Sequence, residues 1–169
     1  MGSDQRKLVH VHIRWVLRRD MPEILDIEAA SFEFPWLEDD FIRCLRQRNN
    51  IGLVAEYDDQ VVGFIIYELS KSHILVLNLA TTPEMRRKGI GSQMIHKLIG
   101  KLSAQRRTKI LLEVRETNLG AQLFFRDSGF RAVSILRDYY EGTSEDAYSM
   151  EYSCQRSISL QADRTVPIL

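Results

Sequence analysis

The stretch that most restricts the fold runs from His73 to Leu102: an apolar run, a proline, a basic turn with two glycines, then a helical pattern. "HILVLNLAT" (73–81) shows almost no polar–apolar alternation, as expected of a strand covered on both faces. Pro83 ends it. Beyond Gly91, residues Ile95, Leu98, Ile99 and Leu102 fall at i, i+3, i+4 and i+7, which predicts a helix with one apolar face.

Other segments supply neighbours for that strand and cover for the sheet. "VHIRWV" (11–16) alternates like a strand. Asp20 is the expected N-cap of a helix with Pro22 and Glu23 in its first turn and Ile24, Leu25, Ile27 and Ala30 at helical spacing. "SFEFPW" (31–36) interrupts it, because the residue before Pro35 is pushed out of helical geometry; a second short helix is expected over 37–47. "IGLVAEY" (51–57) and "VVGFIIYEL" (61–69), separated by "DDQ", read as a hairpin. "KILLEV" (109–114) is a further buried strand, "TN" caps a helix over 119–128, and Gly129 stops it. "FRAVSIL" (130–136) and "AYSMEY" (147–152) predict a closing hairpin, with Tyr139 and Tyr140 on the turn before its last strand. This order predicts an α/β (α+β) mixed sheet of about seven strands with four helices on its faces.

A chain of 169 residues is long enough for one domain with a real core. The expected organisation is a flexible N-terminus over 1–10, one domain over 11–152 and a polar, mobile tail over 153–169. Acids and bases balance at 23 each, so no global field favours nucleic acid or an anionic membrane. No apolar run approaches the ~20 residues that cross a bilayer. The start lacks the apolar core of a secretion signal, and the expected location is cytoplasmic. Cys44 and Cys154 form no framework or metal spacing; Cys44 shares a helical face with Phe41 and Leu45 and reads as buried and inert. His10 and His12 share a strand face without a third ligand, so no metal is expected.

With the totals neutral, the local cluster at Arg86, Arg87 and Lys88 carries the information. It stands between a strand and a helix N-terminus, where free backbone N–H groups and the helix dipole favour an anion. Gly89 and Gly91 remove Cβ atoms and let phosphate oxygens approach the amides. A phosphate, and more specifically a pyrophosphate, suits that turn; the alternative is a solvated basic bend. A P-loop would need its lysine after the glycines, and a dinucleotide fingerprint would need glycine where Met94 stands.

"RRKGIG" fits Q/R-x-x-G-x-G/A and resembles the acyl-CoA pyrophosphate loop of the GNAT superfamily of N-acetyltransferases. "LNLATTP" resembles the family's splayed strand, and "LLEVRETNLGAQLFFRDSGF" its later half of strand, Asn-capped helix and Gly-Phe. The resemblance spans about Ile13 to Glu151. "FPW" (34–36), "LEVR" (112–115) and "RDYY" (137–140) look further like the ribosomal-protein-alanine N-acetyltransferases (RimI-type), which acetylate protein α-amines. The resemblance implies acetyl-CoA as cosubstrate, bound by Arg86, Arg87, Lys88, Gly89, Ile90, Gly91 and Ser92 in the turn. It also implies that Leu79, Ala80 and Thr81 present backbone groups to pantetheine and the acetyl carbonyl, and that Asn118 contacts CoA. An N-cap role for Asn118 is the alternative. The implied acceptor is a protein or peptide N-terminus, a ribosomal protein among the candidates. A small-molecule amine, a lysine side chain, or an acyl-CoA-binding module of weak turnover are the other readings.

Glu113 interrupts the apolar run "ILLEV", and an acid there needs a reason because unpaired burial of charge is costly. By resemblance it stands at the general base; pairing with Arg115 or Lys109 is the structural alternative. Seven residues after Asn118 the family usually has a tyrosine that protonates the leaving thiolate, and this chain has Phe125, among the cofactor-binding candidates but without a proton to give. Tyr139 is a candidate acid. Phe34, Trp36, Tyr139 and Tyr140 are candidates for the substrate groove, with core packing as the alternative for the first pair.

Overall fold

The computed structural model describes residues 7–154. Residues 1–6 of the expected flexible N-terminus and, from 155 on, the expected tail lie outside the described residues. The elements in chain order are β1 (His12–Trp15), α1 (Met21–Ser31), α2 (Glu38–Leu45), β2 (Asn50–Tyr57), β3 (Gln60–Leu69), β4 (His73–Thr81), α3 (Ile90–Ile99), β5 (Lys109–Arg115), α4 (Leu119–Asp127), β6 (Arg131–Tyr140) and β7 (Glu145–Ser153). Short 3-10 turns at Arg18–Asp20 and Pro83–Met85 precede α1 and follow β4. The strands hydrogen-bond in the order β1-β2-β3-β4-β5-β7-β6. β1–β2, β2–β3, β5–β7 and β6–β7 are antiparallel, whereas β4 and β5 run parallel, His73–Leu75 beside Lys109–Leu111. This is the mixed sheet with four helices that the element order predicts.

The chain divides into two compact units, Met1–Leu69 with Leu77–Lys97 and Ser70–Val76 with Leu98–Leu169. In the first, Met21, Ile24 and Ile27 of α1 and Phe41 of α2 pack on Val54, Val61, Phe64 and Ile66 of the β2–β3 hairpin. The hairpin turn has positive φ at both central residues, Asp58 (48°) and Asp59 (58°), which matches the right-handed twist of the strands it joins. A Cβ on Gly63 of β3 would come within 3.1 Å of the Ala80 carbonyl oxygen and 3.0 Å of Met94 Cε, so glycine is what lets β4 and α3 close over that strand. Asp20 sits where the N-cap was expected, but its carboxylate makes no cap bond. It accepts instead from the Leu17 N–H at 2.7 Å and pairs with Arg14, which also holds Glu56 at 2.8 Å. The ion pair with Arg14 and the Leu17 N–H have taken the carboxylate away from the helix. Cys44 leans on the core as its helical face implies, and burial raises its thiol pKa.

In the second unit, Phe124, Phe125, Phe130 and Tyr152 form a chain of ring contacts with successive centroids 5.0, 5.4 and 5.7 Å apart. β6 is longer than the apolar run that announces it. Tyr139 and Tyr140, expected on the turn, belong to the strand, which continues through an irregularity between Leu136 and Tyr140. Asp138 takes φ 49° there and its N–H donates to Asp146 at 2.9 Å. A bulge of this kind re-aims side chains without ending the pairing, and it hides the strand from any reading based on alternation.

Candidate active site

In the first unit the candidate site begins with the end of β4, from Leu77 to Thr81, and the turn after it. Arg87 (φ 64°) and Gly89 (φ 82°) both take left-handed backbone, with Lys88 between them in ordinary conformation. Alternation of this kind curls successive N–H groups toward one point and makes an anion-binding nest. The first backbone bond of α3 runs from Gln93 N to Gly89 O at 3.1 Å, so the amides just before it have no partner inside the helix. A curled turn without a carboxylate, opening on a helix N-terminus, fits a diphosphate.

The three cations differ in use. Arg86 donates to the Thr81 carbonyl at 3.2 Å and to Ser31 Oγ at 3.0 Å, so it ties the end of β4 to the end of α1. Lys88 leans on Met85 with Nζ 3.5 Å from the sulfur. Arg87 is exposed.

A group that the sequence reading missed organises the opposite end of this region. Glu28 is 1% exposed, and its two oxygens accept from the Trp36 N–H at 2.8 Å and from Asn78 Nδ2 at 3.0 Å. Burial raises its pKa, while those two hydrogen bonds act in the opposite sense. It thereby joins α1, the "FPW" turn and β4 one residue before Leu79. The signal was present: Glu28 follows Ile24 by four positions and stands on the apolar face of α1. The aromatics of that turn part ways. Trp36 packs edge-on against Phe41, centroids 5.3 Å apart, whereas Phe34 is 57% exposed. Core and surface thus each claim one of them.

In the second unit Glu113 lies half-buried on β5, opposite Ser149 of β7. Burial alone raises its pKa. The two cations that could have made it a structural carboxylate are turned to other acids: Lys109 holds Glu151 at 3.3 Å, and Arg115 is ion-paired with Glu145 while its guanidinium lies 3.6 Å from the centroid of the Tyr140 ring. Tyr139 and Tyr140 meet edge to face with centroids 5.0 Å apart. Burial raises both phenol pKa values first, and the negative charge of Glu113 raises each further; Arg115 opposes the rise at Tyr140. Glu113 and the two tyrosines therefore share one electrostatic neighbourhood. Asn118 caps α4, its Oδ1 accepting from the Ala121 N–H at 3.1 Å, and leaves its amide nitrogen for other use. Phe125 is buried between Phe124 and Phe130.

A strand–nest–helix turn that suits an anion lies in the first unit, and a desolvated carboxylate beside phenols lies in the second. The family comparison supplies the class of protein, an acetyltransferase. The acetyltransferase (GNAT) family profile matches residues 21–130, and the chain belongs to that family. It is an N-acetyltransferase that uses acetyl-CoA. The [ribosomal protein bS18]-alanine N-acetyltransferase of Salmonella typhimurium is 31% identical over 134 residues, 78% of this chain and 89% of that protein. Among solved structures, the ribosomal-protein-S18-alanine N-acetyltransferase from Escherichia coli superposes with a TM-score of 0.76 at 26% identity, covering 85% of this chain and 94% of the other. Ard1 from Thermoplasma volcanium gives 0.77 at 26% identity, covering 86% and 98%. Among the described residues no helix is long and apolar enough to cross a membrane.

Proposed function

We propose that this enzyme acetylates the α-amine of a protein N-terminus, with a ribosomal protein as the substrate class and Glu113 as general base. Support for the acceptor comes from the names carried by its relatives in Salmonella typhimurium and Escherichia coli. A ribosomal substrate agrees with work in the cytoplasm. The observation that carries the base assignment is Glu113 itself: a half-buried carboxylate raised in pKa by desolvation, among phenols rather than paired with a cation.

In this reading the turn Arg86–Ser92 holds the diphosphate through its amides, and the backbone at Leu79, Ala80 and Thr81 receives the pantetheine arm and the acetyl carbonyl. An α-amine has a pKa near ~8 and is mostly protonated at neutral pH, so the nucleophile must lose a proton before or during attack. Glu113 takes that proton, directly or through one water, as the C–N bond forms; desolvation strengthens it as a base. Backbone donors on β4 stabilise the oxyanion while it lasts. The C–S bond then breaks and CoA leaves as a thiolate, whose thiol pKa of ~8.5 makes departure feasible without an acid. Phe125 has no proton to supply. Tyr139 and Tyr140, in the neighbourhood of Glu113, grip the first residues of the acceptor with ring and hydroxyl together.

CoA release with three acceptors tests the reading. Turnover on peptides with a free α-amine, and little on an N-blocked lysine peptide or a polyamine, is the expected result. Preference for the lysine peptide or the polyamine would overturn it.

A further inference from the structure

Gln93 lies on the first turn of α3, and its side chain folds back over the cofactor turn rather than outward. Its Nε2 donates to the Gly89 carbonyl at 3.1 Å and to the Val9 carbonyl at 2.8 Å, and its Oε1 accepts from the Val11 N–H at 3.2 Å. The Val9 N–H in turn donates to the Lys88 carbonyl at 3.1 Å. Leu8 closes the same contact: its Cδ2 is 3.0 Å from where a Cβ on Gly89 would stand. Only one orientation of the carboxamide serves two carbonyls and one N–H, so the partners fix which end is nitrogen. Lys88 and Gly89 are thereby fastened by their carbonyls to the segment that leads into β1, while their N–H side is left to the nest.

We propose that Gln93 is a positioning residue for the diphosphate of acetyl-CoA, acting by clasping the Lys88–Gly89 backbone to residues Leu8–Val11. The proposal rests on the assignment of the Arg86–Ser92 turn to that diphosphate. A turn with left-handed backbone at Arg87 and Gly89 would otherwise sample many shapes, since glycine has the widest conformational range of any residue. Ordering it only when ligand arrives would weaken binding, and holding it ready removes that loss. The clasp touches neither the acetyl group nor the acceptor, so its effect is confined to the affinity for the diphosphate end of the carrier.

The test compares acetyl-CoA with acetyl-pantetheine, which lacks the diphosphate and adenosine. Gln93→Ala is expected to raise KM for acetyl-CoA about tenfold, the scale of one or two lost hydrogen bonds, with kcat unchanged and acetyl-pantetheine turnover unchanged. Gln93→Glu should do worse, because a carboxylate would face two carbonyls. Val9→Pro deletes the donor to Lys88 and should shift KM the same way by less. Equal losses with both acetyl donors, a loss in kcat, or no change in any variant would overturn the clasp. Gly91→Val run in parallel separates the two levels. If it leaves the preference for acetyl-CoA over acetyl-pantetheine intact, the diphosphate assignment itself fails. If it lowers that preference and the Gln93 variants do not, the clasp alone fails.

Discussion

Around the turn Arg86–Ser92, carbonyls and side chains are spent on fastening: Arg86 on Thr81 and Ser31, Gln93 on Val9, Val11 and Gly89, Lys88 O on Val9. Around Glu113 the environment is arranged by withdrawal, with Lys109 engaged by Glu151, Arg115 by Glu145, and burial left as the influence on the carboxylate. A grip on a ligand that is always the same can be made of backbone and fixed in advance. A group that must accept and release a proton needs its charge kept uncompensated. On the proposed function, the contrast explains why the turn can hold three cations of which one is structural, whereas the chemistry would hang on a single side chain.

The sharpest way to break this contrast is Glu113→Gln. Its kcat is expected to fall by ~10²–10⁴-fold, the range of general-base catalysis, while acetyl-CoA affinity barely moves. A calorimetric Kd alongside steady-state kinetics reads both, and an unchanged kcat would remove Glu113 as base. The mirror experiment is Gly91→Val, where a branched side chain obstructs phosphate approach; Kd for acetyl-CoA should rise about tenfold or more, with kcat at saturation retained. Wild-type affinity would contradict the diphosphate turn. Phe125→Tyr asks whether protonation of sulfur limits the rate. A severalfold gain in kcat is expected, far below the ceiling for acid help, because a thiolate already leaves unaided; a flat result would mean that another group protonates the sulfur or that none is needed.

The smallest effect concerns stability. The folded-state pKa of Glu113 lies above its unfolded value, so ionisation penalises the folded chain; that penalty is absent below the unfolded pKa and complete once the pH exceeds the folded one. Glu113→Gln should therefore raise Tm slightly at pH 8 and leave it unchanged near pH 4. Thermal scans at the two values measure it, and a lower Tm at pH 8 would show that the carboxylate has a stabilising partner.

The strands were largely legible because long apolar runs such as "VVGFIIYEL" and "HILVLNLAT" have few alternatives to a buried sheet. β4 proved to alternate between buried and half-buried positions even though apolar residues stand on both of its faces: its composition masks the difference between them. What escaped the sequence were features made by contacts distant along the chain. Glu28 meets Asn78 fifty positions away, and Gln93 meets Val9 at eighty-four; neither partner is written in local pattern. Asp20 looks like a cap because caps are local, and Arg14 claims its carboxylate instead. The end of β6 was hidden by the bulge at Asp138, which replaces alternation with a left-handed residue. For the proposed site, the turn stands out in the sequence by its glycines and cations, and Glu113 as an acid inside an apolar run; the fastening of the first and the absence, among the described residues, of a cation beside the second are visible only in three dimensions.

The most direct measurement is the pH dependence of kcat/KM for an alanine-initiated peptide, in the wild type and in Glu113→Gln. Two proton losses should govern the acid side of the wild-type profile, one from the amine and one from position 113. The variant should keep the amine's limb alone, at a much lower plateau. Superimposable profiles of equal height would mean that the amine is deprotonated without this carboxylate.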